Sequence, residues 1–287
     1  MKQPRGVRAG SPRLVLCTCD SWYGAQVLAI LLASEQVQVT GIVRSARVLS
    51  PRFGFARGAL EQVRISGFVY SAYLWCITTG AEIACPIGGL ASVGRLVSAH
   101  VIPSLVTRNV NDAEGQAFIA RAAPDVLISA FFNQRLAEPV LALPTLACIN
   151  IHPSLLPAFR GVDPVFYTLL RGVRRFGVSV HRMAPELDSG NLLEQEEVGI
   201  ADSASVFEIT ARLFRRGAEL SIALLDRIEA EEPGVTQRGE GNYDSWPTPS
   251  QVRTFRDQGH ALIRLSDIAR LLHGETYTAI QPTPPHS

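Results

Sequence analysis

Apolar positions along this chain follow two alternating periods. Leu14–Thr18 is a short apolar and β-branched run, and Asp20-Ser21 supplies a helix N-cap signal. Trp22–Ala33 then carries apolar residues at helical spacing, and Val37–Val43 returns to a strand pattern. Two strands joined by a helix of this length predict a parallel pair with a right-handed crossover. The rhythm resumes with a strand at Ser104–Thr107, a helix over Asp112–Ala122 and the buried strand Val126–Ala130. Further strands are expected at Ala147–Ile151, Gly177–Met183 and, with an amphipathic pattern, Asn191–Ile200. Ser205-Val206-Phe207-Glu208 has capping-box spacing. The helix it opens has Val206, Ile209, Leu213, Leu220, Leu224 and Ile228 on one stripe and ends at Glu231-Glu232-Pro233-Gly234. The pattern reads as an α/β chain without internal repeats.

Residues 44–103 break the rhythm. A basic loop (Arg44, Arg47, Arg52, Arg57) leads into an apolar stretch, and a helix is expected over Leu90–His100. Between Arg64 and Arg95 the single charge is Glu82, and Ile65–Ala81 is 17 uncharged residues. That is the lower edge of the roughly 17–25 residues of a membrane span. Ser66, Ser71, Thr78 and Thr79 dilute it, and Gly67 and Gly80 weaken it as a helix. We read a helix buried under the sheet or a partner first, peripheral membrane contact through 65–81 second, and a true span last. The basic start (Lys2, Arg5, Arg8, Arg13) precedes an apolar run that Asp20 interrupts, too short for a secretory signal. Residues 1–11 are expected to be disordered. After residue 232, a short C-terminal extension over 233–287 holds Trp246-Pro247-Thr248-Pro249, a helical piece with Val252, Phe255, Ala261, Leu262 and Ile263, and a Pro-rich tail expected to be disordered.

Composition narrows the class. The 287 residues are 47% hydrophobic, too apolar for a disordered chain. Lys+Arg 27 against Asp+Glu 26 gives a net charge of +1, without the basic excess that draws nucleic acid. Five thinly spread cysteines (17, 19, 76, 85 and 148) argue for reduced thiols and a cytoplasmic setting.

The chemistry concentrates in 147–190. Asn150 and His152 stand two apart at the end of a buried strand, so both project from one face. In open α/β sheets, strand C-termini are where ligands bind. Taken alone, the pair also suits a satisfied strand end. Pro153-Ser154-Leu155-Leu156-Pro157 is an apolar loop held by prolines, suited to a flat aromatic ligand, and Arg160-Gly161 follows. Asp188 follows the strand Gly177–Met183 and is placed to close over the same sheet end, where a carboxylate orients an imidazole. An amide, an imidazole and a carboxylate without a paired Ser or Cys nucleophile suggest direct group transfer. Other residues have blander readings. Cys17-x-Cys19 lacks a second ligand pair and reads as buried thiols, with no metal expected. His100, His260, His273 and His286 are scattered, and the Arg44–Arg57 cluster reads as a solvated loop before it reads as an anion site.

Asn150-Ile151-His152-Pro153-Ser154-Leu155-Leu156-Pro157, Arg160-Gly161, Pro164, Gly177-Val178-Ser179-Val180-His181 and Leu187-Asp188-Ser189-Gly190 together resemble the folate-dependent formyltransferases. That family includes glycinamide ribonucleotide, methionyl-tRNA and sugar-amine N-formyltransferases. The resemblance is dense over 124–200, weaker over 12–43 and absent from 44–103. It implies a doubly wound, mostly parallel sheet with flanking helices, the formyltransferase fold. The catalytic domain would be 12–232, with 44–103 a variable, apolar helical insertion. It further implies N10-formyltetrahydrofolate as co-substrate and a primary amine as acceptor, joined through a tetrahedral intermediate. Family roles fall on Asn150 (formyl oxygen), His152 (oxyanion and proton transfer) and Asp188 (water and His152). The pterin-holding backbone falls on Asn133, Gln134 and Leu136 and on Pro185 and Leu187. Ser179 and Ser189 stand where Thr is common and keep the hydroxyl. His181 within the motif reads as a structural hydrogen bond.

The acceptor is read from the turn after the first strand. Asp20 suits an ammonium better than a phosphate, Trp22 or Tyr23 could stack on a sugar or base, and Pro153 borders the site. We therefore expect a small-molecule amine, an amino sugar before others, and no nucleic acid. The short stretch after Glu231 disfavours tRNA, and the missing N-terminal regulatory domain disfavours a formyltetrahydrofolate hydrolase. An idle folate-binding or membrane-adjacent module is the remaining alternative, and the oligomeric state is open.

Overall fold

A computed structural model describes residues 10–78, 80 and 92–272. The expected disordered start to residue 9, the Pro-rich tail from 273 with His273 and His286, Cys85, and Leu90 of the expected helix lie outside the described residues.

Seven strands form the central sheet: β1 (Arg13–Cys19), β2 (Gln38–Ser45), β3 (Ser104–Thr107), β4 (Val126–Ala130), β5 (Ala147–His152), β7 (Phe176–Arg182) and β8 (Leu192–Val198). Their order is β3-β2-β1-β4-β5-β7-β8. The first five are parallel, and β7 runs antiparallel to both β5 and β8. The order reverses at β1/β4, the kind of switch point at which the carboxyl ends of the strands open a crevice. β6 (Arg160–Gly161) pairs separately with β9 (Tyr243–Asp244).

Because side chains alternate along a strand, each central strand feeds both faces of the sheet. Leu14 and Leu16 of β1 join a core with α1 (Trp22–Ala33), α3 (Val93–Ala99), α6 (Pro164–Leu170), α7 (Val206–Ala223) and α8 (Leu225–Glu229). Val15 and Cys17 join the opposite core with α4 (Ala113–Ala122) and α5 (Glu138–Leu141). Helices on both faces make the sheet doubly wound, as expected. α7 lies against the strand that carries the candidate site: a Cβ on Gly217 would overlap Ile151 of β5 and touch Val178 of β7 at 3.0 Å. Gly217 thus sets how closely that helix seats on β5 and β7.

Two expectations are revised, and two features are added. The long helix does not run unbroken to Ile228; it ends at Ala223, and α8 restarts after Leu224. Within the insertion, α2 (Phe55–Ile77) begins well before the apolar stretch and is interrupted at Gly67, whose φ is +77°. It is not buried under the sheet: Tyr70, Tyr73 and Ile77 face the core, and the opposite side is open to solvent. Among the described residues, no helix is long and apolar enough to cross a membrane. The extension beyond 232 is integrated with the core. Val252 and Phe255 of α9 (Pro249–Asp257) are buried, Phe255 stacks on Phe166 of α6, and Asp267 of α10 (Leu265–Leu272) accepts a 2.6 Å hydrogen bond from Ser205. Finally, α6 forms at the helix-start signal Asp163-Pro164, outside the elements that the apolar periodicity predicts.

Asp163 caps α6 from a left-handed conformation (φ +46°), accepting from the Phe166 N–H and from the Tyr70 hydroxyl at 2.7 Å. Burial raises its carboxyl from 3.8 to about 6, against the lowering effect of those two hydrogen bonds. The folded state therefore holds this proton more tightly than the unfolded chain. That contribution to stability is full below pH ~4 and is lost as pH rises through about 6. Asparagine caps as well and tolerates φ > 0. Asp163→Asn should thus raise stability at pH 7.5 by on the order of 1–3 kcal/mol, with the gain fading below pH ~4. Thermal unfolding of both proteins across pH 4–8 checks this; a gain independent of pH contradicts it.

Candidate active site

Asn150 and His152 lie in the last half of β5, on the face opposite Ile149 and Ile151, whose side chains enter the α7-side core. The antiparallel strand β7 sets His181 opposite Asn150 and Ser179 opposite His152. Directly opposed residues in such a pair share a face, so the register alone brings an imidazole to the Asn150 amide. His181 Nδ1 lies 2.8 Å from the carbonyl of Arg182, an atom that can only accept, so Nδ1 carries the hydrogen. His181 Nε2 is then the acceptor, and Asn150 Nδ2 donates to it at 3.1 Å. Burial holds the His181 imidazolium well below its ordinary range, and the neighbouring His152 adds to this, keeping the ring neutral. One amide hydrogen of Asn150 is thereby fixed, which turns the nitrogen rather than the oxygen toward His181 and leaves the second N–H for a ligand.

His152 is buried, and each ring nitrogen faces an acceptor. Nε2 is 2.9 Å from the Phe159 carbonyl, and Nδ1 is 3.5 Å from Asp188 Oδ1. Asp188 Oδ1 also lies 3.9 Å from His181 Nε2, beyond hydrogen-bond distance. Its Oδ2 accepts the Gly161 N–H at 3.0 Å. Asn150, His152 and Asp188 are therefore brought to one place, Asn150 through its hydrogen bond to His181 and Asp188 through approaches of 3.5 and 3.9 Å to the two imidazoles, from β5 and the loop after β7. Asp188 sits in the left-handed region (φ +53°), a conformation an aspartate accepts more readily than most residues.

The loop that holds Asp188 is supported by residues that sequence reading passed over. Gln237 Nε2 donates to the carbonyls of Asp188 and Gly190, both at 2.8 Å, and its Oε1 accepts from Arg160. Asn242 accepts the Phe159 N–H at 2.8 Å, fixing the residue whose carbonyl faces His152. Gly161 has φ +99°, and a Cβ there would run into the Asp244 carbonyl. The β6–β9 pairing thus requires glycine at the residue that donates to Asp188. Nothing in the Gly-, Gln- and Asn-containing stretch 234–242 distinguishes it from an ordinary loop in sequence. Ser179 serves the Pro-bracketed loop: it donates to the Ser154 carbonyl and accepts from the Leu156 N–H.

The segments expected to hold a pterin flank this cluster. The Asn133 side chain is tied to Ser45 and Arg47, and that of Gln134 to Ser45, Thr107 and Val110. Leu136 is buried in the second core. These side chains anchor the loop after β4, leaving its backbone as the hydrogen-bonding surface. On the other side, Pro185 and Leu187 are exposed after β7, an apolar wall beside Asp188.

The expected acceptor contacts are corrected. Asp20 is not free for an ammonium: Arg44 Nε and Nη2 hold its two oxygens at 2.7 and 2.8 Å, a bidentate pair that cancels its charge. Trp22 and Tyr23 pack into the core at the start of α1 and offer no stacking face, while Pro153 lies buried next to His152 in the chain. Cys17 and Cys19 are buried thiols, and desolvation pushes Cys19 up to about 12.

The sequence profile described as Formyl transferase matches residues 76–225. A methionyl-tRNA formyltransferase from Thermotoga sp. (strain RQ2) is 37% identical over 130 residues, 45% of this chain and 42% of that protein. This chain therefore spans less than half the length of that relative. In fold, a sugar N-formyltransferase from Shewanella sp superposes with a TM-score of 0.51 at 20% identity, over 81% of this chain and 76% of that one. Glycinamide ribonucleotide transformylase 1 from Symbiobacterium toebii gives 0.53 at 17% identity, over 83% and 100%.

Proposed function

We propose that this chain, which belongs to the formyl transferase family, transfers a formyl group from N10-formyltetrahydrofolate to the primary amine of a small molecule. The observation that carries this reading is the Asn150–His152–Asp188 cluster, with His152 between a carbonyl and a carboxylate and Asn150 oriented by a neutral histidine. Bound N10-formyltetrahydrofolate supplies an activated formyl group. Asn150 uses its second amide N–H to hold the formyl oxygen as negative charge develops there. His152, paired with Asp188, adds positive charge beside that oxygen and is the proton source for the departing nitrogen. Asp188, as a carboxylate with a second oxygen on Gly161, takes up the proton lost by the attacking amine, directly or through a water. The backbone of 133–136 and 184–187 holds the pterin, and Pro185 and Leu187 cover it. The free thiols Cys17, Cys19, Cys76 and Cys148 suit a reducing cytoplasm.

For the acceptor, the near-neutral net charge supports a small amine, while the 37% identity to a methionyl-tRNA formyltransferase supports tRNA as the second reading. Release of tetrahydrofolate, measured without acceptor, with a panel of amino sugars and other small amines, and with methionyl-tRNA, separates them. We expect release that depends on a small amine. Release that needs no amine makes the chain a hydrolase, release with methionyl-tRNA alone replaces the small amine, and binding of folate without release removes catalysis.

A further inference from the structure

The outer side of α2 is the opposite of what an exposed helix normally presents. Of the large apolar side chains exposed on the described surface, seven belong to this one helix: Phe55, Leu60, Val63, Ile65, Phe68, Val69 and Trp75. Phe68 is 76% exposed and Trp75 52%. The inward side carries Gln62, Ser66, Tyr70 and Tyr73, with polar atoms satisfied internally: Gln62 donates to Ser66, Tyr70 to Asp163, and Tyr73 pairs with Tyr23. Apolar side chains exposed together on one element, with Phe68 and Trp75 a near-integral two turns apart on the same stripe, mark a surface that meets something.

We propose that this face docks on the surface of an anionic lipid bilayer. Charge decides the occupant. Leaving aside Arg44, which Asp20 neutralises, the sequence between Ser45 and Asp112 holds six arginines and two glutamates, Glu61 and Glu82, in a chain whose net charge is only +1. Positive charge is thus concentrated around α2. Arg52, Arg57 and Arg64 are exposed at or along the patch, and the helix's single acid, Glu61, is already paired with Arg64. A second copy of the same face would bring this basic region against itself. A polynucleotide would satisfy the arginines and leave the phenylalanine, leucine and valine side chains in water. A bilayer with anionic headgroups answers both: aromatic and aliphatic side chains enter the headgroup–acyl boundary, and arginines remain at the phosphates. The break at Gly67 abuts Pro249 of α9, which ties the middle of the helix to the body of the protein. The inference is independent of the acceptor and of catalysis.

The test is co-sedimentation of the full chain with sucrose-loaded vesicles, either phosphatidylcholine alone or with about one third phosphatidylglycerol. We expect binding to the anionic vesicles at least about tenfold tighter than to the neutral ones, weakening with added salt. Phe68→Asp and Trp75→Ser, separately, should each lower it severalfold, and Arg57→Ser with Arg64→Ser should remove the preference for anionic lipid. Velocity sedimentation and formyl transfer in solution report whether the variants remain folded. The proposal is overturned by absence of vesicle binding, by equal binding to both compositions, or by binding that folded apolar variants retain. It is equally overturned if α2 variants abolish self-association or tRNA binding while wild-type protein ignores vesicles.

Discussion

His152→Ala is expected to lower turnover by about 10²-fold or more, Asp188→Ala by a similar factor, and the double variant by little beyond either single change. The non-additivity follows from the geometry. His152 Nδ1 faces Asp188 Oδ1 and Nε2 the Phe159 carbonyl, so the ring's placement depends on the carboxylate, and both groups are proposed to serve the same transfer. Removing one partner disables the other. Folate affinity should change little, because the segments expected to bind the pterin are anchored elsewhere: through Ser45, Thr107 and Val110 on one side and Gln237 on the other. Steady-state kinetics with the two singles and the double, beside fluorescence titration with tetrahydrofolate, check both halves. Near-normal rates in either single variant would refute the roles assigned here, and strictly additive losses would separate the two residues.

Most of the fold was legible because its strands are buried and short. Leu14–Thr18, Val126–Ala130 and Ala147–Ile151 are nearly continuous apolar runs, and parallel strands covered on both faces demand that composition. The site was legible to the extent that it is local. Asn150 and His152 share a face by strand alternation alone, and Asp188 follows the next strand of the motif. What sequence could not give is whatever depends on register or on distant chain. Asp20 looked like an open carboxylate because the residue that neutralises it, Arg44, reaches it only through the β1–β2 pairing of Thr18 with Arg44. Gln237 and Asn242 carry no signal in sequence, since their partners are main-chain groups about 50 to 80 residues earlier. In α2 the apolar count was read correctly and its direction was not: the core side is built from tyrosines whose hydroxyls have partners, and the aliphatic side faces out.

These same long-range links orient the polar groups at the strand end. Asn150 by itself is an amide that can rotate end for end, presenting either its oxygen or its nitrogen to a ligand. The neighbouring strand removes that freedom. His181 accepts from Nδ2 because its own Nδ1 hydrogen is committed to the Arg182 carbonyl and because burial keeps it uncharged. Asn150→Ala should therefore cost about 10²–10³ in kcat, the usual consequence of losing one oxyanion donor, with a smaller change in KM. His181→Gln, whose carbonyl can take the same N–H, should stay within about tenfold of wild type, whereas His181→Leu should approach the Asn150→Ala loss although the alanine site and the leucine site differ. Combining His181→Leu with Asn150→Ala should add little further. Acidity supplies a readout that a packing role would not move. The depressed His181 value means that its neutral form is favoured by the fold, so stability held above pH ~6.5 declines as pH falls through the lower folded value, and His181→Gln should flatten that decline. Kinetics and thermal unfolding across pH 4–8 measure both. A His181→Leu enzyme with wild-type kcat would show that the Asn150 amide needs no such alignment.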